Sequence, residues 1–447
     1  MILFLCMTFA VSAINTRLNG QIICGKEPVF CLQFDMGPGR VQHGYKRVTG
    51  NMIYNPERGY GFVSGIPLTD VDRGGRDALH RDFCTSNRPF YFVVDLPEGN
   101  YEITITSGDK KGETHTTVKA ESRRLMLEDI KTLRGEYKTS EIMVSVRTPR
   151  INDTLSIRLK TREYDYVNWD NKLTLEFNNT RPCVNAVVIK KTDTVKTLFL
   201  AGNSTVTDQA KEPWAAWGQM ITAFFNSEVV VANYAESGEA LKSFVAERRL
   251  MKVMRHIRPG DYLFIEFGHN DQKPASSAYV EAFTGYKEML KKYICMTRMK
   301  NAFPVLITPM HRRNFNENGK IINTHGDYPE AMRQVAQEEN VPLIDLNKMS
   351  AVLYEALGVE GSKKLFVHYL AASFPGQDTE LMDNSHHSAY GAYQLAKCVV
   401  EGIKASVPDL AAYLIVTPLY NPSQPDSFEE WTWPVSPFYE TVKPEGN

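Results

Sequence analysis

The pattern of apolar and polar positions changes near residue 190. Before that point the two alternate in short runs bounded by turn residues. Examples are Arg88-Pro-Phe-Tyr-Phe-Val-Val-Asp-Leu, then Pro97-Glu-Gly-Asn, then Tyr101-Glu-Ile-Thr-Ile-Thr, with Leu155-Ser-Ile-Arg-Leu and Lys172-Leu-Thr-Leu-Glu-Phe further on. A period of two, rich in Thr, Val and aromatics and broken by turns, predicts an antiparallel β-sandwich over 24–190. From Thr194 apolar runs alternate with longer stretches of helical period. Strands are predicted at 197–201, 229–232, 262–267, 305–308 and 341–346. Helices are predicted at 213–225, 243–257, 278–296 and 330–339, with a final one at 390–405. Pro213 is assigned to a first helical turn, and Pro259-Gly260 to the end of the second helix. Strands alternating with helices predict a parallel sheet covered on both faces, a three-layer α/β/α domain over 195–417. The segment 418–447 is rich in Pro and aromatics. It is predicted to be an irregular tail packed on a domain, because Trp431 and Trp433 are costly to leave in water.

The length of 447 residues fits two domains with peripheral segments. With 43% hydrophobic and 23% charged residues the composition is that of a globular protein. The formal net charge of −1 supplies no field to attract nucleic acid, and membrane insertion is not expected. Residues 1–13 (MILFLCMTFAVSA) have a short apolar core and end in small residues, the form of a signal peptide, although no Lys or Arg precedes the core. A secreted or periplasmic location is therefore expected. The seven cysteines match no zinc spacing, and the sequence does not pair them. Cys295 and Cys398, in amphipathic helical runs, are expected as small core residues.

Ligands of open parallel sheets bind at the carboxyl ends of the strands. Four polar or glycine-bearing segments fall there or just before the last helix: Gly202-Asn203-Ser204-Thr205, Asn233-Tyr-Ala-Glu-Ser-Gly238, Gly268-His269-Asn270-Asp271 and Asp383-Asn-Ser-His386. Serine needs a base to become a nucleophile. His386 suits that role because its ordinary pKa is close to neutral pH, and Asp383, three residues earlier, can hold the imidazole. Backbone N–H groups of Ser204 and Gly238, with the Asn270 side-chain amide, can form an oxyanion hole. Asp271 and His269 are expected to support the site. His387 competes with His386 for the base, but at the same spacing its partner is Asn384, which carries no charge. Arg312 and Arg313 follow the fourth strand as candidate substrate contacts, with a solvated face or an internal ion pair as the alternative. No metal or organic cofactor is called for.

The segment Ala201-Gly-Asn-Ser-Thr-Val-Thr-Asp-Gln, together with Gly238, Gly268-His-Asn-Asp271 and Asp383-x-x-His386, resembles the ordered blocks of the SGNH (GDSL-like) hydrolase family. The wording is most similar to rhamnogalacturonan acetylesterases and extends to His311-Arg-Arg-Asn-Phe-x-Glu-Asn-Gly319 and Thr324-His-Gly-Asp-Tyr-Pro329. Phe34-Asp-Met-Gly-Pro-Gly39 and Arg58-Gly-Tyr-Gly-Phe62 resemble the galactose-binding-like sandwich of bacterial members. The resemblance implies a flavodoxin-like hydrolase fold and a serine esterase acting on O-acetyl groups of a plant cell-wall polysaccharide, acetylated rhamnogalacturonan above all. Rival readings are an acetylxylan, other carbohydrate or lipid esterase of the same fold, and a carbohydrate-binding protein with an inactive hydrolase domain. Asn203 departs from the family, which commonly has Asp there.

Overall fold

A computed structural model describes residues 21–22 and 29–445. The expected signal peptide at 1–13 lies outside the described residues, as do Cys6 and Cys24. Two sheets stack to form the N-terminal sandwich. One contains the strands Val29–Met36, Ala186–Thr192, Gly99–Gly108 and Tyr137–Val146, flanked by Gln21–Ile22 and Lys46–Val48. The other orders Arg124–Thr132, Thr114–Ala120, Lys172–Arg181, Phe90–Asp95 and Tyr60–Phe62. Pairing is antiparallel except between Lys46–Val48 and Val29–Met36. Alternate residues such as Tyr101, Ile103 and Ile105 on one sheet, and Phe90, Phe92 and Val94 on the other, meet in one core.

Leu155–Leu159, expected as a strand of this sandwich, makes only an isolated bridge at Arg150 and Ser156. Its apolar residues face elsewhere: Ile157 belongs to the core of the second domain, and Leu155 and Leu159 pack against that core.

That domain is built on a sheet whose described strands run Val229–Asn233, Lys196–Gly202, Tyr262–Glu266, Phe303–Ile307 and Leu343–Ile344, every pair parallel. In chain order this is 2-1-3-4-5, the flavodoxin-like doubly wound arrangement. Its strands are apolar on both faces. Leu198 and Leu200 pack with the helix Ala389–Ser406 on one side. Phe199 and Ala201 pack with the helices Leu241–Ala246, Arg249–His256, Lys287–Arg298 and Tyr328–Glu338 on the other. Three layers result, as the alternation of strand and helix predicts.

Several local expectations fail. Helix does not begin at Pro213 but at Trp217–Met220, continuing as a 3-10 turn over Ile221–Phe224. Glu212, just before Pro213, is instead paired through its backbone to Phe438 and Glu440 of the tail. The helix expected at 243–257 divides at Arg248, which has a left-handed φ of 66°. The helix expected at 278–296 opens with a π-turn, Ala282–Tyr286. The run 341–346 contributes only Leu343–Ile344 to the sheet, because Asp345 accepts from Lys348 N and starts the unforeseen helix Leu346–Gly361. Cys398 is buried, but Cys295 is exposed. Leu290, Tyr293, Ile294 and Thr297 occupy the inward stripe of its helix, and Cys295 lies off that stripe. The five described cysteines are free thiols. No described helix is long and apolar enough to cross a membrane.

Among its contacts with the second domain, the sandwich inserts one hairpin. Its turn places Glu121 (φ 55°) and Arg123 (φ 62°) in the left-handed region. Leu125 then joins the core around the parallel sheet. Ser122 O and Leu125 O accept from Gln219 and Thr222 at 2.7 and 2.6 Å. Residues 418–445, which hold neither helix nor strand, run back across both domains. Trp433 Nε1 donates to Glu212 at 2.9 Å, and Lys119 Nζ donates to Pro434 O at 2.6 Å.

Candidate active site

The first and third strands of the parallel sheet separate at the switch point of the winding, where doubly wound folds bind their ligands. Beyond Gly202 the chain turns sharply. Asn203 Oδ1 accepts from Thr205 N at 3.0 Å and Thr205 Oγ1 at 2.8 Å, while Asn203 O accepts from Val206 N and Thr207 N. This side-chain-closed turn presents Ser204. The amide oxygen of Asn203 performs the capping available to a carboxylate without introducing a charge. Below the turn lies Glu266, which receives Trp217 Nε1 at 2.6 Å and Thr205 Oγ1 at 3.0 Å. Burial pushes its carboxyl up to about 8.

Asp383 and His386 arrive on the hairpin strand Leu381–His387, which pairs antiparallel with Phe366–Tyr369. Asp383 Oδ1 accepts from Ser385 N at 2.8 Å and His386 N at 3.1 Å, folding the three-residue interval into a tight bend. His386 Nδ1 then lies 2.7 Å from Asp383 Oδ2, and His386 Nε2 lies 2.9 Å from Ser204 Oγ. Burial pushes the Asp383 carboxyl up, but the His386 ring and the Ser385 and His386 N–H groups outweigh it and hold the group well below the usual carboxylate range. The imidazole thus has a fixed negative partner on one nitrogen and the serine hydroxyl on the other. His387 points elsewhere: its Nε2 is 2.9 Å from Tyr354 OH, and burial lowers its pKa to about 3.

Gly238 and Asn270 stand on the loops after the second and third strands. Gly238 has a φ of 83°, and an added Cβ would come within 3.1 Å of Glu445 and 3.2 Å of Lys160. Among the described residues, the backbone N–H groups of Ser204 and Gly238 donate to no partner. Asn270 Nδ2 donates to Glu239 O at 2.9 Å, which orients the amide and leaves a second N–H. Asp271 holds this loop, accepting from Gly268 N and Leu241 N at 2.8 Å each. His269 is packed edge-on against His325, with ring centroids 4.4 Å apart.

The two arginines part company. Arg313 is buried and bonded inward, from Nε to Ser362 Oγ at 3.1 Å, from Nη1 to Asn384 Oδ1 at 3.1 Å, and from Nη2 to Val359 O. A substrate contact does not fit this geometry, because its fork is taken up by Ser362, Val359 and Asn384, the last on the strand Leu381–His387. Arg312 is half-buried beside the site, within 3.3 Å of His269 O and 3.2 Å of Thr324 Oγ1, and burial lowers its pKa to about 10.

Two contributors are assigned no role by the sequence, although Gln209 closes the block that begins at Ala201. Gln209 Nε2 donates to Ser204 O at 2.8 Å, and Trp214 Nε1 lies 3.4 Å from Asp383 Oδ2. Both line a cavity of about 300 Å³ beside the serine. The tail lies along that cavity: Lys443 Nζ is 3.4 Å from Asp383 Oδ1, and Glu445 pairs with Arg162 at 3.0 Å. Ser204 and His386 are each only 2% exposed beneath this cover. No cluster of three or more His, Cys, Asp or Glu among the described residues is arranged to hold a metal ion.

The fold belongs to the carboxylic ester hydrolases of the SGNH type, preceded by a galactose-binding-like β domain. The chain is a member of the GDSL-like lipase/acylhydrolase family, whose model matches residues 200–368. Residues 32–152 match the beta-agarase/YXIM esterase-like, galactose-binding domain-like family. Rhamnogalacturonan acetylesterase RhgT of Bacillus subtilis is 44% identical over 209 residues, 46% of this chain and 89% of that protein. The esterase YxiM of the same organism is 26% identical over 385 residues, 83% of this chain and 90% of its own. A crystal structure of YxiM aligns with 84% of this chain and 98% of that one, at 26% identity and a TM-score of 0.43.

Proposed function

We propose that the protein removes O-acetyl groups from a plant cell-wall polysaccharide, with acetylated rhamnogalacturonan as substrate. The observation that carries the reading is the unbroken line Asp383–His386–Ser204, with steps of 2.7 and 2.9 Å, beside two unengaged backbone N–H groups. The similarity to RhgT supports the choice of polymer.

In this mechanism Ser204 Oγ attacks the acetyl carbonyl while His386 Nε2 takes the hydroxyl proton. The oxyanion forms against Ser204 N, Gly238 N and Asn270 Nδ2. His386 then passes the proton to the departing sugar oxygen, leaving acetyl-Ser204. Water, deprotonated by His386, attacks the acetyl group and releases acetate, and Ser204 recovers its proton. Asp383 holds the ring tautomer and stabilises the imidazolium throughout. Export, suggested by residues 1–13, would bring the enzyme to such a polymer.

The test is acetate release from acetylated rhamnogalacturonan, acetylxylan and an aryl acetate. The first should be deacetylated most efficiently among the polymers. Ser204→Ala should lose activity by several orders of magnitude while remaining folded, and near-normal activity in that variant removes the assignment. Preference for acetylxylan removes the substrate.

A further inference from the structure

The outer face of the sandwich meets the hydrolase domain across a second, larger cavity of about 480 Å³. Alternation along two strands builds its floor. In Phe90–Asp95 and Lys172–Arg181, Phe92, Val94, Leu173 and Leu175 point into the sandwich core. Tyr91, Val93, Thr174 and Glu176, on the opposite face, line the cavity. Tyr166, Ala210, Lys211 and Phe438 close it from the other side. A volume of this size at a domain boundary, with aromatic walls and a few converging polar groups, is the usual form of a small-ligand site.

Position and chemistry together select the ligand. Tyr166, Ala210 and Lys211 also line the smaller cavity, whose Gln209 and Trp214 contact Ser204 and Asp383. The two cavities are therefore neighbours, and one extended chain can occupy both. The cations of the larger cavity are already matched: Arg123 with Glu212, Lys211 with Glu440, and Lys172 over the Tyr54 ring. Glu176 is engaged by Lys119 and Ser436. Asp165 and Asp170 also line the cavity, so the charge that remains unmatched is mostly acidic, and a uronate would meet like charge there. The rings of Tyr54, Tyr166 and Phe438 are partly exposed, and Ser122 Oγ has no hydrogen-bond partner among the described residues. Burial also pushes Glu121 up to about 8, which leaves it a neutral carboxylic acid near pH 7. Ring faces for C–H contact and uncharged hydroxyl partners suit an uncharged sugar better than a uronate.

We propose that this interdomain cavity is a distal subsite for a neutral pyranose of the same polysaccharide chain whose ester is presented to Ser204. The proposal rests on the polysaccharide reading above and adds a place where the sandwich touches the substrate.

The test uses the full chain and oligosaccharides without ester groups, so that binding is read apart from catalysis. Ser64→Trp narrows the cavity from an exposed position, and Phe438→Ala removes a wall. Calorimetry with a deacetylated rhamnogalacturonan hexasaccharide should show about tenfold weaker binding for each variant. Aryl acetate hydrolysis should stay unchanged, and a galacturonate hexamer should bind the wild type more weakly. Wild-type binding in both variants, no binding by the wild type, equal affinity for the galacturonate hexamer, or a parallel loss of aryl acetate activity would each overturn the subsite. If binding behaves as expected while no acetylated polysaccharide is deacetylated, the subsite stands and the esterase substrate falls.

Discussion

Arg124 Nε of the sandwich lies 2.6 Å from Asp208 Oδ2 of the hydrolase domain, and each side chain is 1% exposed. Asp208 is four residues beyond Ser204 and also accepts from Asn233 Nδ2 at 2.9 Å. The sandwich therefore helps to fix the loop that carries the nucleophile.

Truncating one member of a buried ion pair costs about 3–5 kcal/mol when the other charge is left without compensation, and less here, because Arg147 also faces Asp208 at 3.6 Å. Arg124→Ala should lower the unfolding midpoint accordingly, and calorimetry of the wild type should show a single transition for both domains. Two well-separated transitions, the second unaffected by Arg124→Ala, would show that the hairpin does not couple them.

For Asn270, the role proposed is donation to charge that appears only in the transition state. Asn270→Ala should lower kcat by ~10²–10³ with little change in KM. Steady-state kinetics on an aryl acetate decides the point. A loss confined to KM would make Asn270 a ground-state contact.

Arg312 and Arg313 should now separate in experiment. Rhamnogalacturonan, the substrate proposed, carries a carboxylate on each galacturonate, and a contact with the planar guanidinium of Arg312 is proposed for one of them. Arg312→Ala should reduce kcat/KM on the acetylated polymer roughly tenfold to a hundredfold, and barely alter aryl acetate hydrolysis. Arg313→Ala should instead cost ~1–3 kcal/mol of stability, because it strands the groups its fork now satisfies. Equal losses on both substrates for Arg312→Ala would refute the charge contact.

Glu266 gives a pH dependence of known sign. Burial pushes its folded pKa up to about 8, above the ordinary glutamate value of about 4.3. Between these values the folded state holds the proton that the unfolded state has lost, so stability falls as pH rises across that window. A single such group contributes a slope of about 1.4 kcal/mol per pH unit. Thermal melts from pH 5 to 9 should therefore show a shallower decline for Glu266→Gln than for the wild type. Parallel curves would mean that Glu266 is ionised in the folded protein.

The layers, the sheet and the positions of Ser204, Asp383 and His386 are legible in the sequence because each depends on local pattern. Strand period, helix period and short polar blocks at strand ends are all written in neighbouring residues. Pro213 misleads because proline is as much at home in a bend as in a first helical turn, and tail pairing at Glu212 decides between them. Leu155–Leu159 alternates like a strand, yet Ile157 is claimed by a core that begins some forty residues later. Arg313 reads like Arg312 in sequence, and only Ser362, Asn384 and Val359, distant in the chain, show that it faces inward. Arg123 and Arg124 have no motif at all, because their roles exist only across a domain boundary, and Trp214 has none because its partner Asp383 is distant in the chain.

The hairpin has a further consequence for the order of events during synthesis. Arg124 leaves the ribosome 84 residues ahead of Asp208, a delay of roughly 4–17 s at translation rates of about 5–20 residues per second. The sandwich itself is complete only when its strand Ala186–Thr192 emerges late in that interval, and it then displays two hydrated guanidinium groups beside an uncovered Leu125. Its last patch becomes native only when the polypeptide that follows has folded against it.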